Sequence, residues 1–357
     1  MEVIPMAYLS GLAQSLTPYQ AGEQPKDKKY IKLNTNENPY PPSPKVEAAM
    51  REAAQTLQLY PDMDSTGFCK AVAKQNGVRP EQVFAGNGSD EVLAFAFAAF
   101  FAGKRLLAPD ITYSFYPVYA KLFGAVYETV PLNDDFSMNV QGLLQDAPVA
   151  IANPNAPTGI MLPLKTLEKM AEHLKGQGQV FLIDEAYEAF AAENAVSLLE
   201  RFDNVLIVRT LSKSHALAGL RVGYAMGHPA LIDGLNRVKD CFNSYSLDRL
   251  AQAAATAAME DAPYYGQINK LVAKTRDLTR DALIKAGIPV LNSSTNFLFV
   301  KADETNAARV FMKLKERGIL VRHFDKPRIA PYLRISIGTP EQMEVVVREL
   351  VSIIRQD

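Results

Sequence analysis

Val180-Phe181-Leu182-Ile183-Asp184-Glu185-Ala186-Tyr187 carries an apolar run straight into a carboxylate. Four consecutive apolar residues, with no polar alternation, fit a strand covered on both faces, as in a parallel sheet. In open α/β sheets ligands sit at the carboxyl ends of strands, so Asp184 points where a ligand would lie. A helix N-cap or a buried salt bridge would account for the same residue. Outward from this stretch the chain alternates. Short apolar runs read as strands at Gln82–Ala85, Arg105–Ala108, Ala125–Val130, Val149–Ala152, Val205–Thr210 and Arg221–Met226, mostly separated by helical stretches. Seven strands in such an alternation predict an α/β domain with a mostly parallel sheet flanked by helices.

The remainder arranges itself around that domain. The first forty residues read as loop, because Asn34 to Pro44 is crowded with Asn, Pro and Tyr, and Pro41, Pro42 and Pro44 oppose helix and strand alike. A helix is predicted from about Lys45 to Leu57. Beyond Pro229 the pattern turns helix-rich, with helices over Ser246–Glu260 and Tyr264–Ala286. A strand near Asn296–Val300, a helix near Ala307–Arg317, a strand near Leu333–Ile337 and a final helix from Pro340 complete a smaller α/β unit. The expected division is an arm over 1–43, a large domain over 44–258 and a small C-terminal domain over 259–357 that gathers in the arm.

Composition narrows the function. Of the 357 residues, 48% are hydrophobic and 22% charged, which suits a packed globule and excludes a disordered chain. A net charge of −1 argues against nucleic acid or an anionic membrane as partner. The longest apolar run, Val92 to Ala102, falls short of the roughly 20 residues of a membrane span and reads as a core helix. Met1 to Ser10 has no basic stretch and does not read as a signal peptide. Cys69 and Cys241 cannot form a disulfide framework. They read as two buried thiols in a reducing cytoplasm, and no Cys/His spacing suggests a metal.

Two further stretches carry chemistry. Arg209-Thr210-Leu211-Ser212-Lys213-Ser214-His215 follows the Val205–Val208 strand, with Arg221 nearby. A lone loop lysine is usually solvated. One just past a buried strand, beside an arginine, can instead serve as an amine nucleophile with a lowered pKa. That reading strengthens because Lys213 follows the strand-end Asp184 by 29 positions. Gly86-Asn87-Gly88-Ser89-Asp90-Glu91 lies between a strand and a helix predicted to begin near Glu91. It is either a phosphate-cradling helix start or an ordinary capped one. It lacks the G-x-G-x-x-G dinucleotide pattern. In Tyr332-Leu333-Arg334-Ile335-Ser336-Ile337 the alternation turns Leu333, Ile335 and Ile337 to the core. Arg334 faces the other way, as a surface charge or a carboxylate fork.

With these residues the chain resembles the fold-type I, pyridoxal-phosphate-dependent aminotransferases over nearly its whole length, and among them the histidinol-phosphate branch. The resemblance rests on Leu16-Thr17-Pro18-Tyr19, Lys32 to Tyr40, Tyr60-Pro61-Asp62, Gly88 to Glu91, Pro154-Asn155-Ala156-Pro157-Thr158-Gly159, Asp184 to Tyr187, Ser212-Lys213 with Arg221, and Leu333-Arg334-Ile335. It implies transamination between histidinol phosphate and 2-oxoglutarate, with glutamate as the product amino acid, in histidine biosynthesis. An aromatic amino-acid aminotransferase and a threonine-phosphate decarboxylase are the related alternatives. It implies that Lys213 holds pyridoxal 5′-phosphate covalently and shuttles the proton. Asp184 then pairs with the ring nitrogen and Tyr187 with the ring oxygen. Tyr113 stacks on the ring, although core packing is the ordinary role of such a tyrosine. Ser89, Asp90, Ser212, Arg221 and Thr210 hold the cofactor phosphate, which Tyr60 reaches from the other subunit of a homodimer. Arg334, Arg322 and Tyr19 bind substrate anions, with Asn36 close by. The asparagine that usually precedes Pro-Thr-Gly is replaced by Ala156, so Asn155, or Tyr187 with water, must contact the ring oxygen instead. None of the four histidines is expected to be catalytic, and His215 is expected to pack or hydrogen-bond.

Overall fold

The structure, a computed structural model, describes residues 8–19 and 22–355. Residues 1–7, on which most of the signal-peptide reading rests, lie outside them. The strands, in chain order, are β1 (Ile31–Lys32), β2 (Val83–Asn87), β3 (Arg105–Pro109), β4 (Val126–Val130), β5 (Val149–Ala152), β6 (Phe181–Asp184), β7 (Val205–Thr210), β8 (Val222–Gly227), β9 (Phe297–Lys301), β10 (Ile319–Leu320), β11 (Arg322–His323) and β12 (Tyr332–Ser336).

Seven of them form one sheet in the order β2-β8-β7-β6-β5-β3-β4. The pairs from β7 to β4 are parallel, and β8 runs antiparallel to both β7 and β2. Every residue of β5, β6 and β7 is buried, which is why these segments read as continuous apolar runs. Polar residues survive only at the carboxyl ends, where the sheet opens to the site: Asp184 closes β6, and Arg209 and Thr210 close β7. The edge strand β4 is mostly exposed, and its Glu128 pairs with Arg105 of β3.

The apolar run at Val92 is a core helix. It starts at Gly88, runs to Ala96, and continues through a wider turn over Phe97–Phe101. Val92, Leu93, Phe97 and Phe101 are fully buried. The Pro-rich arm is less irregular than expected. Pro44 opens a helix, Pro44–Ala53, whose cap is Ser43 accepting from the Lys45 amide at 3.2 Å. Proline at the first helical position lacks only an N–H that would have no partner there. A short helix, Gly11–Ser15, lies in the segment expected to be loop.

The arm is tied to the C-terminal elements. β1 pairs in parallel with β10, and Leu33 joins the apolar cluster built by β9, β12 and the Pro340–Arg355 helix. The three-stranded sheet β11-β12-β9 is antiparallel. Between the two cores runs the long helix Ala262–Lys285. Its Tyr265 and Ile268 pack into the large core, and its Val272 and Leu283 into the small one. Cys69 is buried as expected, but Cys241 is exposed near the end of the Pro229–Phe242 helix. Among the described residues no helix is long and apolar enough to cross a membrane.

Candidate active site

Asp184 ends β6 between Ala152 of β5 and Val208 of β7. It is 4% exposed and accepts hydrogen bonds from the Tyr116 hydroxyl and the Ala186 amide, both at 3.2 Å. Burial pushes its carboxyl up to about 7, with the Asp90 and Glu185 carboxylates adding to the rise against those two hydrogen bonds. A buried carboxylate at this level is poised to accept a cationic partner. The next residue anchors the turn. Glu185 accepts from Arg209 Nη2 at 2.7 Å and Nε at 3.0 Å, and from the Ala195 amide at 2.6 Å.

Lys213 lies beyond the end of the adjacent strand β7, in one short helical turn, Leu211–Ser214, rather than an open loop. Thr210 caps the turn, its hydroxyl accepting from the Ser212 amide at 3.1 Å. Lys213 Nζ donates to the Thr35 carbonyl at 2.8 Å. Burial lowers its pKa to about 8. The Arg334 and Arg221 guanidiniums push the same way, while the Glu37 and Asp90 carboxylates oppose them. Near neutral pH an appreciable fraction of this amine is therefore uncharged and nucleophilic. His215 packs against Tyr265, its Nδ1 lies 2.8 Å from the Ser214 hydroxyl, and burial holds its pKa down to about 4.

One corner of the site is built from glycines and an arginine. Gly88 has φ +80°, and a Cβ there would lie 2.5 Å from Arg221 Nη2. A Cβ on Gly223 would fall 2.3 Å from the Ser89 amide nitrogen. Only glycine lets the helix start and β8 approach so closely. Because the helix begins at Gly88, not near Glu91, Ser89 and Asp90 sit in its first turn. Arg221 donates to Asp90 Oδ2 at 2.9 Å and to Ser212 Oγ at 3.4 Å, and the Tyr113 hydroxyl donates to Asp90 Oδ1 at 2.6 Å. Free helix amides, hydroxyls and a guanidinium together form an anion cradle.

A second basic group lies on the C-terminal elements. Arg322 of β11 and Arg334 of β12 stand directly opposite each other. Like charges in that position repel, so the pair suits an anion between them. Arg334 Nη2 donates to the Asn34 carbonyl at 2.9 Å, its Nε is buried without a partner, and it lies over the rings of Phe297 and Phe324 at 5.4 and 5.6 Å. Arg322 lies 5.4 Å from the same Phe324 ring. Tyr19 stacks on Phe115 at 4.2 Å.

These residues surround a cavity of about 400 Å³, lined by Ser89, Asp90, Tyr113, Asp184, Tyr187, Thr210, Ser212, Lys213 and Arg221, and by Tyr19, Asn36, Arg322 and Arg334. A neighbouring chamber of about 280 Å³ shares Tyr19, Tyr113, Ala156, Arg322 and Arg334 with it. One residue expected in this chain's own site is not brought in. Asn155 accepts from Thr112 Oγ1 at 2.9 Å and donates to the Ile111 carbonyl and Thr158 Oγ1 at 2.9 and 3.0 Å. Both of its amide hydrogens are thereby taken, tying the Pro154–Gly159 turn to the Ile111–Thr112 segment, and Ala156, not Asn155, lines the cavity. Tyr60, expected at the other subunit's site, is 79% exposed and lies outside its own chain's cavity. Missed from the sequence were Tyr116, which holds Asp184, and the Asn34 and Thr35 carbonyls, which hold Arg334 and Lys213. Backbone acceptors leave no mark on residue type, and Tyr116 lay unremarked three residues after Tyr113.

A family model, aminotransferase class I and II, matches residues 28–350. The chain is 51% identical over 342 residues to the histidinol-phosphate aminotransferase of Marinomonas sp. (strain MWYL1), covering 94% of this chain and 96% of that one. It is 50% identical over 350 residues to the histidinol-phosphate aminotransferase of Acetobacter pasteurianus, covering 97% and 98%. The solved structure of histidinol-phosphate aminotransferase from Sinorhizobium meliloti, in complex with pyridoxal-5′-phosphate, matches with a TM-score of 0.88 at 26% identity over 98% of each chain. The chain belongs to the class I and II aminotransferases, in their histidinol-phosphate branch.

Proposed function

We propose that this chain transfers the amino group of L-histidinol phosphate to 2-oxoglutarate, using pyridoxal 5′-phosphate. The observation that carries the reading is one cavity with Lys213 and Asp184 in its wall and two separate arginine groups, Arg221 on one side and Arg322 with Arg334 on the other. A phosphorylated cofactor and a phosphorylated substrate each need such a group. The residues fit the cofactor. The Gly88–Ser89 helix start, Ser212, Thr210 and Arg221 match its phosphate, and the buried Asp184 carboxylate, which has no cationic partner among the described contacts, matches a protonated ring nitrogen. When bound, the cofactor supplies an electron sink for the substrate carbanion. Asp184 would hold a proton on the ring nitrogen, Tyr113 would pack along the ring, and Lys213 Nζ would carry the proton at the substrate's α-carbon. Arg334 and Arg322, with Tyr19, receive the substrate anion. A panel of amine donors tests the assignment: kcat/KM for histidinol phosphate should exceed that for phenylalanine, tyrosine and threonine phosphate, and a preference for an aromatic amino acid would replace the substrate.

The substrate arginines divide the work. Arg334 presents a guanidinium fork to a carboxylate or phosphate, which lysine cannot reproduce. Arg334→Lys should cost about 10- to 150-fold in kcat/KM for glutamate, from the ~1.5–3 kcal/mol of a charge-assisted hydrogen bond. Cofactor absorbance should be unchanged. Arg322→Ala should reduce kcat/KM for histidinol phosphate more than for glutamate, and equal losses in steady-state assays would show the division to be wrong.

The working form is a homodimer. Tyr60 stacks on Tyr245 at 4.8 Å, and Leu57, Leu59, Met63 and Phe242 are exposed nearby in sequence. Large exposed apolar groups of this kind suit a protein interface. In it Tyr60 reaches the cofactor phosphate of the other subunit. Mixing the inactive Tyr60→Ala and Lys213→Ala proteins should restore activity once subunits exchange, since some heterodimers then hold one intact site. A free thiol on the surface and the absence of any disulfide among the described residues fit a reducing compartment such as the cytoplasm.

A further inference from the structure

Ala156 lines the cavity and both amide hydrogens of Asn155 are committed elsewhere, so that turn offers a bound cofactor's ring oxygen no side-chain donor, and Tyr187 is a tyrosine of the same wall. Tyr187 is itself buried, edge-on to Phe297 at 5.1 Å. Its hydroxyl oxygen accepts from Asn36 Nδ2 at 2.9 Å. A phenol that accepts from a fixed donor keeps its own proton to give elsewhere.

The orientation of the Asn36 amide is set by its surroundings. Asn36 is buried, with its backbone at φ +57°. Its backbone N–H donates to Ser336 Oγ at 2.9 Å, and the Ser336 hydroxyl donates to the side-chain Oδ1 of Asn36 at 2.8 Å. The Asn36 carbonyl accepts from Asn296 Nδ2 at 2.9 Å. Turning the side-chain amide over would take away the only acceptor the described contacts give the Ser336 hydroxyl proton. Oδ1 therefore faces Ser336 and Nδ2 faces Tyr187.

We propose that Asn36, held by Ser336 and Asn296, is a positioning residue that directs the Tyr187 proton into the cavity, onto the ring oxygen of the cofactor. The arm thereby supplies, through tyrosine, the polarity that the Ala156 turn lacks. The expected role of Asn36 beside the substrate changes accordingly: its polar atoms are spent on Tyr187 and Ser336. This inference rests on the pyridoxal-phosphate reading above.

The test is the pH midpoint of the visible absorbance change of the loaded protein. Asn36→Asp keeps a residue type that tolerates the left-handed backbone but replaces the donor by an acceptor. The tyrosine proton then turns away from the cofactor. A ring oxygen deprived of a charge-assisted hydrogen bond should raise the midpoint by about one to two pH units. The new charge acts through space as well, so the same substitution is made in Tyr187→Phe. A larger shift in the wild-type background than in Tyr187→Phe supports the inference, and equal shifts overturn it. Should Asn36→Asp not fold, Ser336→Ala serves without a charge. A raised midpoint that disappears in the Tyr187→Phe background supports the proposal, and an unmoved midpoint, or the same shift in both backgrounds, overturns it. Wild-type protein that gains no visible absorbance with pyridoxal phosphate would instead overturn the cofactor reading.

Discussion

Lys213→Ala is expected to lower amino transfer by about 10⁴-fold or more while leaving the fold in place. On the proposed role the substitution removes a nucleophile and a general base together, and the base alone is worth about 10²–10⁴-fold. The fold should survive because Lys213 is only half-buried and its one side-chain hydrogen bond is to the Thr35 carbonyl. Relieved of a cation whose pKa burial holds down to about 8, the variant should melt no lower than the wild type at neutral pH. The measurement is kcat with histidinol phosphate beside the circular-dichroism melting curve. Activity near wild type would remove Lys213 from the mechanism, and a collapsed melting curve would make it structural.

Asp184→Asn should slow turnover by about 10²–10⁴-fold, the ~3–5 kcal/mol of a broken buried charge pair. On the proposed pairing with the ring nitrogen, the neutral amide cannot hold a proton there and the electron sink weakens. The ligand-free protein should respond in the opposite sense. The folded-state pKa of Asp184 is raised to about 7 from an ordinary 3.8, chiefly by burial. The native state therefore binds this proton more tightly than the unfolded chain, and the associated stability is full below about pH 4 and lost as pH rises through about 7. Asparagine has no such loss. Melting temperatures of the ligand-free pair should nearly coincide at pH 4 and separate in favour of Asp184→Asn by pH 8. A site that sacrifices stability for function behaves this way. A variant less stable than wild type at pH 8 would show that Asp184 is a structural residue instead.

The centre of this protein is legible in its sequence because burial and chemistry coincide there. Val149–Ala152 and Val205–Thr210 are strands with the expected bounds, since a strand covered on both faces leaves an uninterrupted apolar run. Asp184 and Lys213 stand out as polar residues at or just past the ends of such runs, and Arg221 as the one just before the β8 run. The arm was harder to read. β1 is two residues long and depends on β10, nearly 290 positions away, and no local pattern announces such a partner. Pro44 misled because proline blocks a helix interior but suits its first turn. Asn155 misled for another reason: its residue type fits a cofactor contact, but its three hydrogen bonds to Ile111, Thr112 and Thr158 depend on a turn that brings distant segments together. Cys241 is exposed because it falls on the outer side of an amphipathic helix whose buried positions are Ile232, Leu235 and Lys239.

The central claim is that one cavity, with Lys213, Asp184 and two arginine groups around it, moves an amino group from a phosphorylated amine. A half-reaction isolates that claim. Protein loaded with pyridoxal phosphate is mixed with histidinol phosphate and no acceptor, and absorbance is followed while the keto product is quantified. The expected result is loss of the visible band with about one equivalent of keto phosphate per site, and return of the band on adding 2-oxoglutarate. A band that persists in excess histidinol phosphate, or that fades without release of the keto phosphate, would contradict it.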